Sequence, residues 1–160
     1  MDSLRVSNGI KRIEVNDNGE YIEIPISDTA FFERYAEILQ YFDKKQIDIE
    51  QQVKEISKKY SAKEQEEKPD EDTISEMDVN MVVDTVKLYS ELCKDVCIQL
   101  DKLFGDGCCQ KVFTGIEAPG IELIGDFFEQ ITPFLQKYAQ ERNDKISLRY
   151  NNRRKGARSR

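Results

Sequence analysis

Four cysteines, Cys93, Cys97, Cys108 and Cys109, are the residues of this 160-residue chain whose type and spacing come nearest to a chemical site. Cys93 and Cys97 fall one helical turn apart, and together with the adjacent Cys108-Cys109 pair they offer the four-thiolate donor set of a structural zinc site. The usual spacing of two intervening residues is missing, and neighbouring cysteines seldom bind one ion. The competing reading is therefore four free thiols, each behaving as a small hydrophobe. Histidine is absent altogether. That removes Ser-His-Asp and Cys-His catalysis, His-ligated metals and the common switch near neutral pH. Acid–base work would fall to Asp, Glu, Lys, Tyr or Cys, and no pair of them has a suggestive spacing. Residues 105–120, GDGCCQKVFTGIEAPG, hold four of the eight glycines but lack the spacing and the Lys-Ser/Thr pair of a phosphate-binding loop. Neither an enzymatic activity nor a cofactor is expected from these residues.

The charge is unevenly spread. The net charge of −7 hides six basic and no acidic residues in 149–160, which leaves 18 basic against 31 acidic, or −13, in residues 1–148. An acidic body repels phosphate backbones, so nucleic acid is not expected across the main surface. The polar start Met1-Asp2-Ser3 has no signal-peptide core, and no apolar run approaches the length of a membrane span. A soluble intracellular protein with reduced thiols and no membrane contact is expected.

The elements that must position these residues are mostly helical. Phe32, Tyr35, Leu39, Phe42, Gln46, Ile49, Val53, Ile56 and Tyr60 recur at alternating steps of three and four, which keeps one narrow stripe facing a partner helix. Ser27-Asp28-Thr29 supplies N-cap residues ahead of it. A second stripe, Val82, Val86, Tyr89, Cys93, Val96, Leu100 and Leu103, has the same period in a helix that begins near Thr73 or Ser75 and stops at Phe104, before Gly105. Two matched seams joined by the charged stretch 61–72, a flexible linker in composition, predict a long antiparallel helical hairpin. The broad apolar face at Phe31–Phe42 and the narrow seam beyond it predict either a globular base with a projecting arm or a long helix in an ordinary bundle.

Ahead of the helices, residues 10–26 read as a β-hairpin. Asn18-Gly19 is a two-residue type I′ turn signal, and that register sets Val15 opposite Ile22, Ile13 opposite Ile24 and Glu14 opposite Glu23. A lone ribbon is marginal in water, so its apolar face must dock on a helix or on strands of a neighbouring subunit. After the helical hairpin, Val112, Phe113 and Ile116 are expected to pin the glycine-rich connection to the core. A third helix follows from about Ile121 into the 140s, with Pro133 expected to kink or restart it. The resulting fold is mainly α with a small N-terminal β-hairpin, one α-rich domain over 1–148 and a disordered basic tail over 149–160. Phe127, Phe128 and Phe134 on that helix form either core or a partner groove. Arg149, Arg153, Arg154 and Lys155 in the tail could meet an acidic partner.

The hairpin KRIEVNDNGEYIEIPISDTAFFERYAEIL, the long helical middle, the segment IELIGDFFEQITPFLQKYAQERNDKI and the basic ending RYNNRRKGAR together resemble small tail assembly proteins of phages and prophages of Firmicutes, in particular the tail assembly chaperone group. The resemblance covers roughly residues 10–60 and 80–158 and carries no catalytic motif; the charged linker has no counterpart in it. It implies a non-enzymatic protein in the cytoplasm of the bacterial host. Such proteins coat the tape measure protein during tail assembly, keep its apolar helices soluble, recruit tail tube subunits and leave the finished particle. Self-association into a homo-oligomer fits surplus apolar surface on such a protein. The alternatives are a structural virion component, such as a head-tail connector or minor tail protein, and a nucleic-acid-associated regulator using the basic tail.

Overall fold

The computed structural model describes residues 1–66 and 76–158. In chain order the elements are β1 (Ile10–Glu14), β2 (Tyr21–Pro25), α1 (Thr29–Glu66), α2 (Glu76–Phe104), α3 (Cys108–Val112) and α4 (Ile121–Arg158). The protein is mainly helical, with one small antiparallel ribbon ahead of a long helical hairpin and a C-terminal helix.

The ribbon forms, but its register differs from the expected one by two residues. Ile13 faces Ile22, Arg12 faces Glu23 and Glu14 faces Tyr21. The reason lies in Asn16, whose Oδ1 accepts the N–H groups of Asn18 and Glu20 at 3.0 and 3.2 Å. This side-chain turn makes a four-residue loop in which only Gly19 takes positive φ, at 77°, whereas a type I′ turn would require Asn18 to do so too. An even shift keeps the same side chains on the same face, so Ile22 and Ile24 are still buried. It also replaces the Glu14–Glu23 clash with an Arg12–Glu23 ion pair at 3.4 Å, and Arg12 lies over the Tyr21 ring.

Asp28 starts α1, its Oδ1 accepting the Ala30 N–H at 3.0 Å. The antiparallel hairpin is fixed by cross-contacts whose residue numbers run in opposite directions. Phe31 meets Phe104, the Tyr41 hydroxyl donates to Asp95, and the Tyr60 hydroxyl donates to Asp84 at 2.9 Å. The hydrogen bond to a carboxylate raises the pKa of both tyrosines, because the bonded phenol form is the one retained. Gly105, at φ 110°, closes α2 with its N–H on the Asp101 carbonyl, as the sequence leads one to expect.

The core sits at one end of this hairpin. Ile24, Val96, Leu100 and Ile124 are completely enclosed, and among the described residues full burial extends outward to Ile49 on α1 and Leu92 on α2. Beyond them Val53, Ile56 and Tyr60 are half-buried, so a two-helix arm projects from a globular base, the first of the two arrangements read from the sequence. Residues 61–66, expected to be flexible, continue α1; residues 67–72 of that linker, with Thr73 and Ser75, lie outside the described residues.

α4 differs from expectation in two places. It passes Pro133 without a restart, and the Thr132 hydroxyl donates to the Phe128 carbonyl at 2.6 Å in the turn where the proline lacks an N–H. It then runs on to Arg158, through the stretch expected to be disordered, because Arg, Lys and Ala are good helix formers and Gly156 is the one breaker in it. The short α3 lies inside the connection read as turns, opened by Gly107 at φ 79°.

Candidate partner-binding surface

The cysteines are free thiols in the packed base. Cys93, Cys108 and Cys109 are buried, Cys97 is half-buried, and among the described residues no group of His, Cys, Asp or Glu is arranged to hold a metal ion. The Cys109 thiol donates to the Cys97 carbonyl at 3.6 Å, and Asp101 accepts the Cys109 N–H at 2.9 Å. Burial pushes the Cys93 thiol up to about 11. Hydrogen bonding to neighbouring thiols raises Cys97 and Cys109 as well, so all three stay protonated and unreactive near neutral pH.

The expected partner residues separate into buried and exposed. Phe127 and Phe128 belong to the core, with 7% and 4% exposure, and an edge of Phe127 also lines a groove that it shares with Phe134. The reason is the crossing of α4 over the hairpin. Successive helical residues point about 100° apart, so Phe127 turns to Phe104 and Phe113 while Phe128 turns to Tyr35 and Phe42. Tyr35 is buried beside them, and burial raises its pKa. Because the one Thr132 proton is committed to the Phe128 carbonyl, the Tyr35 hydroxyl is the donor in its 2.7 Å contact with Thr132. Phe134 is exposed and stands beside Tyr138, at the end of a groove of about 430 Å³ between the ribbon and α4 that Ile13, Val15 and Ile131 also line. Arg149 is exposed on α4, and the side chains of Arg153, Arg154 and Lys155 lie outside the described residues.

A larger open surface lies on α2. Asp84, Leu88 and Asp95 turn toward α1, where they meet Tyr60, Ile56 and Tyr41, and Val82 and Val86, expected in that seam, are exposed instead. Val79, Val82, Val83 and Val86 are 51%, 61%, 43% and 58% exposed. They stand at i, i+3, i+4 and i+7, the spacing by which one helix presents a stripe to another. The same side of α2 is covered from Cys93 onward by α3, α4 and the connection between them. Where that cover begins, a groove of about 890 Å³ opens between α2 and residues 116–122, with Val86, Tyr89, Cys93 and Cys97 on one side and Ile116, Pro119 and Ile121 on the other. Ile116, expected to pin the connection to the core, is instead 43% exposed on this rim. Sequence periodicity identified Val82 and Val86 as apolar helix positions but assigned them to the wrong neighbour; Val79 and Val83 complete a second stripe that was not recognised.

The fold and this surface define a helical protein with a closed aromatic base and an open apolar helix face. The chain belongs to DUF6673, a family of unknown function, whose pattern it matches over residues 18–160. No curated protein and no solved structure matches it.

Proposed function

We propose that this protein is a non-enzymatic tail assembly chaperone of a long-tailed phage or prophage, which binds helices of the tape measure protein, and tail tube subunits, in the host cytoplasm and leaves the finished virion. The observation that carries the reading is the valine stripe of α2, four apolar side chains at helical spacing that lie in water and lead into a groove. Apolar stripes of this kind take the matching stripe of an amphipathic helix, by anchors at i, i+3, i+4 and i+7. A tape measure protein is a long, mostly helical chain that exposes many such stripes before the tube closes around it. The likeness of the hairpin, of residues 121–146 and of the basic ending to tail assembly proteins supplies the identity of the partner.

The test is co-expression with the tape measure protein from the same genome, followed by a pull-down at physiological salt. The reading expects a higher soluble yield of the partner and a complex that Val82→Asp/Val86→Asp abolishes. Recovery of no complex with the unmodified chain defeats it. Presence of the protein in purified virions would instead favour a structural tail component.

A further inference from the structure

The chain divides into two oppositely charged parts. Residues 1–141 carry 16 basic and 30 acidic side chains, a balance of −14, and residues 142–160 carry 8 basic and 1 acidic, a balance of +7. Lys11 pairs with Glu141 at 3.7 Å where α4 leaves the ribbon, and from Asn143 to Asn152 every side chain is exposed, Ile146 and Leu148 by 52% and 62%. A helix end whose described side chains lie in water draws little stability from packing. This arm therefore gains from a surface to lie on.

α2 presents the complement. At about 1.5 Å per residue the open side of α2 from Val79 to Tyr89 spans roughly 15 Å before it leads into the groove, and the arm from Arg142 to Arg158 spans roughly 24 Å. The groove sets Asp101, Glu117 and Glu122 against Lys94 around its apolar floor. We propose that the α2 groove receives the basic end of α4 from a second copy of this chain, with Ile146 on the valine stripe and Lys145 and Arg149 against Glu117 and Glu122. Arm and groove are different surfaces, so the contact is heterologous and repeats from copy to copy, growing an open chain or closing into a ring. Its exposed ion pairs weaken as salt screens them. The inference stands on this chain alone and not on the identity of the tape measure protein; a partner helix and a neighbour's arm exclude each other from the groove.

Sedimentation velocity of the purified full-length protein tests it, at about 50 mM and about 500 mM salt, which differ severalfold in screening strength. The expected result is concentration-dependent association at low salt that weakens at high salt. Val82→Asp/Val86→Asp removes the groove and Lys145→Glu/Arg149→Glu removes the arm, each weakening self-association roughly tenfold or more. Both pairs are exposed, so circular dichroism should show the unmodified fold, and Glu117→Lys/Glu122→Lys provides a second groove variant. An equimolar mixture of one arm variant and one valine variant retains one intact arm and one intact groove, so it should form a dimer and nothing larger. The proposal is overturned if the unmodified chain stays monomeric at low salt, if the mixture stays monomeric, or if the arm variant alone still associates as the unmodified chain does. That last result would mark a symmetric contact between two valine stripes.

Discussion

Val86 and Val96 lie on the same helix, yet one is 58% exposed and the other completely enclosed, so an identical truncation at the two sites isolates burial from propensity. Val96→Ala deletes two methyl groups at about 0.8 kcal/mol each and leaves a cavity that raises the loss to roughly 2–3 kcal/mol. Alanine's better helix propensity returns about 0.5 kcal/mol, leaving a net cost of about 2 kcal/mol. At Val86 there is little burial to lose, so the same change should fall within about 0.5 kcal/mol of zero and lean toward stabilisation. Urea unfolding followed by circular dichroism reads the difference. With a slope of about 2 kcal/mol per molar, Val96→Ala should lower the midpoint by about 1 M and Val86→Ala should leave it in place. High salt and low protein concentration keep self-association out of the measurement. Equal losses at the two positions would refute the assignment of the Val79–Val86 stripe to solvent.

Three further outcomes follow from the packed base. Gly105→Ala places a side chain at φ 110° and should cost about 1–2 kcal/mol, seen as a lower thermal midpoint with unchanged helix content. Asn16→Ala removes the acceptor of the Asn18 and Glu20 N–H groups and the donor to the Lys111 carbonyl at 3.0 Å, loosening the ribbon from α3; amide exchange of residues 15–20 should accelerate while α1 keeps its protection. The Cys93 thiol is raised from 9.0 to about 11, so the unfolded chain loses this proton near pH 9 and the folded chain near pH 11. Its contribution is complete below pH 9 and is lost as the pH rises to 11, and a Cys93→Ala variant should show a shallower fall in unfolding free energy across that window; an identical fall would contradict the assignment.

Much of the fold was legible because it rests on local signals. Asn18-Gly19 announced the hairpin, Asp28 and Gly105 marked helix ends, and seam periodicity paired α1 with α2. The ribbon register escaped because Asn16, not the Asn-Gly pair, decides the loop, and a side-chain turn of this sort competes with the two-residue turn on almost the same residues. Core and partner groove could not be told apart for Phe127 and Phe128, because aromatic spacing on one helix does not reveal that the helix crosses two others. The valine stripe was harder still. Val82 and Val86 have helical spacing whichever neighbour they face, and only the placement of Asp84, Leu88 and Asp95 against α1 shows that the other side of α2 is left open. The length of α4 was missed because its last residues lack apolar periodicity, while their intrinsic propensity favours helix.

Hydrogen exchange on the protein alone and in complex with the tape measure protein tests most directly whether α2 is where a partner helix rests. Partner binding should slow exchange across residues 79–90 and 116–122 and leave the core amides around Val96 and Leu100 limited by global unfolding in both states. Protection confined to other elements, with residues 79–90 exchanging as fast in the complex as in the free protein, would contradict the assignment of the open valine face as the docking surface.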